Sequence, residues 1–323
     1  RGSGLRGSRG MQAMSRLYVQ SLSQGLPQQD TDSPTIYNNK LERLRELIDT
    51  ADAIVLGVGS GVSTAADYDF YHGSEAFDRR FGAFERAHGF DTLFDGLYHV
   101  FGANEEQWAF QASVMDWLAG LPVGQPYRNL AMLMRGREHF VITTNVDGQV
   151  PRAFGSQRSW TFQGDLRFLQ CAQPCNDKVV DATRIARELV AQTQPDDNGT
   201  PRVPADALPR CQDCGWLMVP WARDEHFLEG GPWQRQHTCY KGFLTRHLID
   251  SPDRVLFLEL GVSSMTPAVI RMPFWDMVAR NPQTNYVCVN MRETSSPAQL
   301  GERGLTITAD IARVAADLLQ GPS

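Results

Sequence analysis

Two close cysteine pairs, Cys171-x3-Cys175 and Cys211-x2-Cys214, carry the clearest chemistry in the sequence. Zinc prefers four soft ligands at the corners of a tetrahedron, and two short knuckles can supply two thiolates each. Four cysteines fill every position, so the expected Zn2+ is structural and leaves no open site for catalysis. Six cysteines in 323 residues do not make a secreted disulfide scaffold, and the paired spacing points to metal instead. Cys239 and Cys288 fall outside the pairs, and Cys288, in a strand-like run, reads as a core residue.

A second group of residues surrounds a glycine turn. Gly57-Val58-Gly59-Ser60-Gly61 follows the apolar run AIVLG. Glycines there permit a tight turn and let backbone N–H groups approach a pyrophosphate at a helix N-terminus, although such a turn is as often plain punctuation. Asn145 and Asp147 stand just past another apolar run, FVITT, at the kind of strand end where α/β proteins build ligand sites.

These residues need a sheet to hold them. The short apolar runs at Ala53–Gly57, Phe140–Thr144, Val255–Gly261 and Tyr286–Asn290 read as buried strands. Helical patterns lie between and around them, at Asn39–Ala51, Met115–Leu121, Leu130–Met134 and Ile311–Leu319. Strands alternating with helices imply an α/β fold, a Rossmann-like, doubly wound parallel sheet. Residues 171–240 break the pattern with the paired cysteines and the stretch QPDDNGTPRVP, and read as a small inserted zinc-binding module, with Trp216, Trp221 and Trp233 packing around it. The Rossmann-like part is expected at about 39–170 and 241–320. Residues 1–10 (RGSGLRGSRG) look like an expression scar, and 11–38 like a flexible N-terminal arm.

Composition narrows the partners. A net charge of −6 with no Lys/Arg block argues against nucleic acid. No apolar run approaches the ~20 residues that span a bilayer, so no membrane role and a cytoplasmic location are expected. A hydrophobic fraction of 42% suffices for a substantial core.

The order of the motifs adds to this reading. GVGSGVSTAADYDF, TTNVDGQ, FQGD, two cysteine pairs, LELGVSS, VCVN and ADIARVAADLL follow one another over nearly all of residues 40–320. The chain thereby resembles the sirtuin family, whose fold is a Rossmann-like domain plus a small zinc-binding domain with NAD in the cleft between. The resemblance implies that Gly57 and Gly59, with Val58 and Ser63 in the same loop, cradle the pyrophosphate. Asp67 and Tyr68 would lie over the nicotinamide side. Asn145 would contact the nicotinamide ribose and Asp147 the carboxamide. Gly261 and Ser263 would hold phosphate or the adenosine ribose, Asn290 that ribose, and Asp310 with Ile311 would border the adenine. Ser263 and Asn290 fit a second role equally well, as caps of their strands.

The departures from the sirtuin pattern are specific. The family's DFR loop is Asp67-Tyr68-Asp69-Phe70, without the arginine, and its catalytic HG dipeptide is Gln163-Gly164. An amide has no useful pKa near neutrality, and losing a positioned general base costs about 10²–10⁴-fold in rate. Gln163 can still orient a hydroxyl through its carbonyl and NH2. The glutamine, the DY loop and the run MVPWAR after the last cysteines resemble the class-M, macrodomain-linked sirtuins, in which an asparagine, a glutamine and an arginine act together. Here these would be Asn145, Gln163 and Arg223, although a lone arginine after a zinc knuckle is more often a solvated charge. The resemblance implies an NAD-dependent protein mono-ADP-ribosyltransferase that releases nicotinamide and modifies a lipoylated carrier protein related to glycine-cleavage protein H. A macrodomain ADP-ribosyl hydrolase would be its functional partner in a microbial oxidative-stress response. The alternatives are an NAD-dependent deacylase of longer acyl groups and a non-catalytic NAD or ADP-ribose sensor, which the altered glycine loop would suit.

Overall fold

The apolar runs become strands because each is covered on both faces: Ala53–Val58 and Val255–Leu260 are buried along their whole length. The structure is a computed structural model that describes residues 29–68, 73, 75–264 and 267–321. Asp69 and Phe70 of the loop compared with DFR, and residues 11–28 of the segment read as an arm, lie outside the described residues. In chain order the strands are β1 (Ala53–Val58), β2 (His139–Thr143), β3 (Ser159–Thr161), β4 (Gly164–Cys171), β5 (Val180–Asp181), β6 (Gln194–Pro195), β7 (Pro201–Arg202), β8 (Met218–Ala222), β9 (Val255–Leu260), β10 (Asn285–Asn290) and β11 (Gly304–Thr308).

Six of them form one parallel sheet in the order β11-β10-β9-β1-β2-β3. The order reverses between β1 and β9. That makes the sheet a doubly wound Rossmann-like sheet with its switch point at the carboxyl ends of those two strands. Helix Pro34–Thr50 lays Tyr37, Leu41, Leu44, Leu47 and Ile48 on the core, a helical stripe that the sequence shows clearly. Helix Ile311–Leu319 does the same with Ile311, Val314, Ala315 and Leu318.

By its contacts the chain divides into two units. The sheet unit comprises Pro27–Tyr68, Pro122–Asp165 and Glu229–Ser323; the cysteine unit comprises Asp69–Leu121 and Leu166–Leu228 among its segments. These limits differ from the sequence expectation in three places. Residues 75–121 go with the cysteines and not with the sheet. Helices Glu75–His88 and Asn104–Gly120 share a phenylalanine core there, with Phe110 5.4 Å from Phe81 and 5.2 Å from Phe84 between ring centres, and the second helix also packs along Thr183–Gln192. Helix Gly231–Thr245, read in part as zinc module, instead packs on the sheet. Its Trp233 lies 5.2 Å from Trp160. Lastly, the first helix among the described residues begins at Pro34, inside the segment read as a loose arm. Proline suits the first helical turn, and Asp32 ahead of it exchanges hydrogen bonds with Thr308 on β11.

Among the described residues no helix is long and apolar enough to cross a membrane. Gly57 shows how tightly the sheet is covered. A Cβ there would stand 2.3 Å from Ile270 Cγ2 and 2.8 Å from Phe274 Cε2, so a methyl group has to push two core side chains aside. Gly57→Ala is expected to cost about 1–3 kcal/mol by overpacking, read as a lower urea midpoint with an unchanged m-value.

Candidate active site

At the switch point two turns meet backbone to backbone. Gly59 and Gly61 follow β1; Gly261 follows β9 with φ +61°. A Cβ on Gly59 would lie 2.4 Å from the Gly261 carbonyl oxygen, and one on Gly261 would lie 2.7 Å from Gly61 Cα. The Gly59 N–H donates to Leu260 O, and the Gly61 N–H to Gly261 O, both at 2.9 Å. No side chain fits between the turns, and positive φ adds a second reason for glycine at 261. Gly57 differs, because its glycine serves packing against Ile270 and Phe274. Val58 is wholly buried in β1.

Asn145 fastens the β1 turn to the end of β2. Its Nδ2 donates to Gly59 O at 2.9 Å, to the Tyr127 hydroxyl at 3.0 Å and to Ser63 Oγ at 3.3 Å. Its backbone N–H donates to Thr143 Oγ1, which in turn donates to Val58 O. Ser63 Oγ donates to Asp147 Oδ2 at 2.5 Å and is bonded to Tyr127 Oη at 2.8 Å, while Asp147 Oδ1 accepts from the Gln149 N–H. All of these side chains are buried. Burial, with the Asp147 carboxylate nearby, pushes the Tyr127 hydroxyl far above the usual phenol range, so it acts as a neutral donor and acceptor. Tyr127 was not among the residues singled out from sequence. The available signal was its place at i, i+3 and i+7 with Leu130 and Met134, a core-facing stripe carrying one hydroxyl. Among the described residues, nothing donates to the carbonyl oxygen of Asn145, which leaves an acceptor for a ligand hydroxyl.

Gln163 occupies the two-residue turn between β3 and β4. The turn is held from two sides. The Phe162 N–H donates to Thr143 O on β2, and Trp233 Nε1 donates to Phe162 O from helix Gly231–Thr245. Gly164, at φ +90°, closes it. Gln163 is half-buried, and its amide bonds no other described residue.

The remaining residues named from sequence have structural partners of their own. Asn290 caps its strand: Nδ2 donates to Val262 O, and Oδ1 accepts from the Arg292 and Glu293 N–H groups. Asp310 caps helix Ile311–Leu319 by accepting from the Ala312 N–H, and Ile311 is buried beneath the Gly261 turn. Ser263 is half-buried in the loop after β9. Asp67 is exposed at φ +63°, and Tyr68 donates its hydroxyl to Pro122 O.

In the cysteine unit the sulfurs of Cys171, Cys175, Cys211 and Cys214 all lie within 4.8 Å of one another, with Cys171–Cys214 and Cys175–Cys211 at 3.5 Å. A tetrahedron of zinc–sulfur bonds of ~2.3 Å has edges of about 3.8 Å, so the set fits zinc. The backbone N–H of Asp213 draws the Cys211 thiol down to about 7, whereas the neighbouring thiol of Cys214 holds Cys175 up at about 12. Cys288 is wholly buried away from this group. Arg223, also in the cysteine unit, is half-buried with its guanidinium 4.5 Å over the Phe227 ring, which stacks on Trp221.

No model of a known protein family matches the chain. A protein ADP-ribosyltransferase of Staphylococcus aureus is 30% identical over 287 residues, covering 87% of this chain and 88% of that protein. The chain belongs to the protein ADP-ribosyltransferase family of that relative. A probable bifunctional ADP-ribose hydrolase/ADP-ribosyltransferase of Fusarium oxysporum f. sp. cubense is also 30% identical, over 87% of this chain but 48% of its own length. Solved sirtuin structures share the fold. A Sir2 protein with a p53 peptide and NAD+ aligns at a TM-score of 0.56 and 19% identity, over 87% of this chain and 97% of its own. A Sir2 homologue–NAD complex aligns at 0.57 and 18% identity, over 86% of this chain and 92% of its own.

For this transferase with a sirtuin fold, NAD fits what the sheet unit offers: glycine turns at the switch point, a spare carbonyl on Asn145 and an unengaged amide on Gln163. Two outcomes follow. Tyr127→Phe removes two hydrogen bonds from the Asn145 group and is expected to cost about 0.5–1.5 kcal/mol in urea unfolding, with a raised KM for NAD. Stripping zinc with a strong chelator is expected to release one equivalent of metal and lower Tm, because folding of such knuckles is coupled to the ion; Cys211→Ala should mimic it.

Proposed function

We propose that this chain is an NAD-dependent protein mono-ADP-ribosyltransferase whose acceptor is a lipoylated carrier protein of the glycine-cleavage-H type. One observation carries the reading: the half-buried turn between β3 and β4, fastened by the Phe162 N–H to Thr143 O two residues before Asn145, presents a glutamine amide and no titratable side chain. NAD supplies an electrophilic ribose carbon and nicotinamide as the leaving group. The chain supplies position. Asn145, held through Gly59, Tyr127 and Ser63, offers its carbonyl to a ribose hydroxyl, and Gln163 orients a hydroxyl or the acceptor without taking its proton. In the transfer the acceptor bonds to the ribose carbon as the bond to nicotinamide breaks, and any proton on the acceptor passes to solvent, so no imidazole is needed at position 163, whereas turnover of an acyl intermediate needs one. Arg223 is the candidate for recognising an anionic group on the carrier, since a guanidinium binds carboxylates bidentately.

Membership in the family and the name of the Staphylococcus aureus relative support the transferase activity. The carrier and the stress-response setting rest on the motif resemblance alone. The fungal relative, which is named for both ADP-ribose hydrolase and transferase activities, supports an ADP-ribosyl hydrolase as the functional partner; that it is a macrodomain rests on the motif resemblance. A cytoplasmic setting suits free thiols and an intracellular co-substrate.

The test is transfer of label from NAD to lipoylated and unlipoylated carrier proteins. Label on the lipoylated form only is the expected result; no label on any carrier, or an Asn145→Ala protein as active as wild type, would sink the proposal. O-acyl-ADP-ribose from acyl peptides would favour the deacylase instead. Gln163→Ala is expected to lower kcat/KM for transfer about 10²-fold through misplacement. Gln163→His should add an inflection near pH ~6.5 to the kcat profile that wild type lacks, because imidazole titrates there and an amide does not.

A further inference from the structure

The sheet unit buries an ion pair that the transfer reaction does not use directly. Glu259, on β9, is fully buried, and Arg271, at the start of helix Arg271–Arg280, is nearly so. Arg271 Nε and Nη2 donate to Glu259 Oε1 at 3.0 and 2.7 Å. Tyr286, on β10, donates its hydroxyl to Glu259 Oε2 at 2.7 Å, and the Cys288 thiol donates to Oε1 at 3.4 Å. The carboxylate is thus saturated by four donors. A buried pair of this kind is weak evidence for stability, since an apolar pair of similar volume often does as well. Something beyond packing is needed to explain it.

Arg271 reaches past its partner. Nη2 also donates to Val262 O at 2.9 Å and to Glu293 O at 3.0 Å. Val262 lies between Gly261 and Ser263 in the loop after β9, and Glu293 lies in the loop after β10, just beyond Asn290. The same two loops are joined twice more. Asn290 Nδ2 donates to Val262 O at 3.1 Å, and the Ser264 N–H donates to Glu293 Oε2 at 2.6 Å. Arg271 therefore ties β9, the loop after it and the loop after β10 to a single rigid plane. Lysine could meet Glu259 with a point charge but could not reproduce the fork.

We propose that the Arg271–Glu259 pair is the positioning element for the adenosine end of the NAD site, fixing the spacing of the loops that carry Gly261, Ser263 and Asn290 without touching the ligand. This rests on the reading that NAD binds at the switch point. The pair acts on affinity for the adenosine half and not on the chemistry at the nicotinamide ribose, where Asn145 and Gln163 stand.

The experiment compares wild type with Arg271→Lys and with the apolar double variant Glu259→Leu/Arg271→Met. ADP-ribose is titrated by calorimetry, hydrogen exchange is followed at the amides of residues 261–264 and 291–294, and kcat and KM for NAD are measured separately. Both variants are expected to bind ADP-ribose at least tenfold more weakly, with faster exchange confined to those two loops, a KM raised to match and a kcat within about twofold of wild type. Arg271→Lys should be the milder. A folded double variant that binds ADP-ribose within twofold of wild type overturns the proposal, and so does a fall in kcat at unchanged KM. If the double variant fails to fold, Glu293→Ala, which removes only the bond to the Ser264 N–H, must still weaken ADP-ribose binding for the proposal to stand. Failure of wild type itself to bind ADP-ribose would overturn the NAD reading first, and this proposal with it.

Discussion

The structure turns on a contact between two pieces of backbone. After β1 and after β9 the chain makes a turn, and the turns press against each other so closely that neither Gly59, Gly61 nor Gly261 has room for a methyl group. That contact fixes where the sheet's two halves diverge, and the divergence is what creates a ligand site in a doubly wound fold. Everything later in the site is referenced to it. Asn145 reaches Gly59 O from the end of β2, Asn290 reaches Val262 O from the end of β10, and Ile311 fills the space beneath Gly261. A site assembled from the ends of four strands keeps its geometry because all four are measured from one joint.

The two ends of the site are held by different physics. At the Asn145 end the fastening is a neutral amide and two hydroxyls around one carboxylate, Asp147. At the Asn290 end it is a guanidinium against the buried carboxylate of Glu259. Each buried charge is surrounded by donors, as it must be when water is excluded. The cysteine unit is fastened differently again, by a phenylalanine core and a four-sulfur cluster suited to zinc.

Much of this was legible in the sequence, for identifiable reasons. Strands buried on both faces appear as continuous apolar runs, so β1, β2, β9 and β10 could be read directly. The edge strands β3 (SWT) and β11 (GLTIT) could not, because each is short and only partly apolar. The four cysteines announced themselves by spacing. That helix Asn104–Gly120 packs with Thr183–Gln192 is not legible, because the partner lies far along the chain and an apolar stripe does not say which partner it will meet. The glycines illustrate the same gap at finer scale. All looked like one phosphate loop, yet Gly57 is small to admit Ile270 and Phe274, whereas Gly59 and Gly61 are small to admit another backbone. Asn290 and Asp310 were legible as polar residues at element ends, but their caps appear only in the structure. Tyr127 was invisible as a site residue, because its importance lies in whom its hydroxyl meets.

The hydroxyl of Tyr127 also settles the polarity of its surroundings. Ser63 has one hydrogen, and the Asp147 carboxylate, which can only accept, takes it. Ser63 must then receive from Tyr127, so the tyrosine spends its own hydrogen on the serine and must receive in turn from the Asn145 amide. The two hydroxyl protons each have one address, and the row runs one way, from amide through phenol and alcohol to carboxylate. The amide is thereby locked in one of its two flip states, with nitrogen inward and oxygen left over. The Gly59 carbonyl, which can only accept, and the buried phenol hold the amide nitrogen inward together, so the edge that Asn145 leaves open is an acceptor.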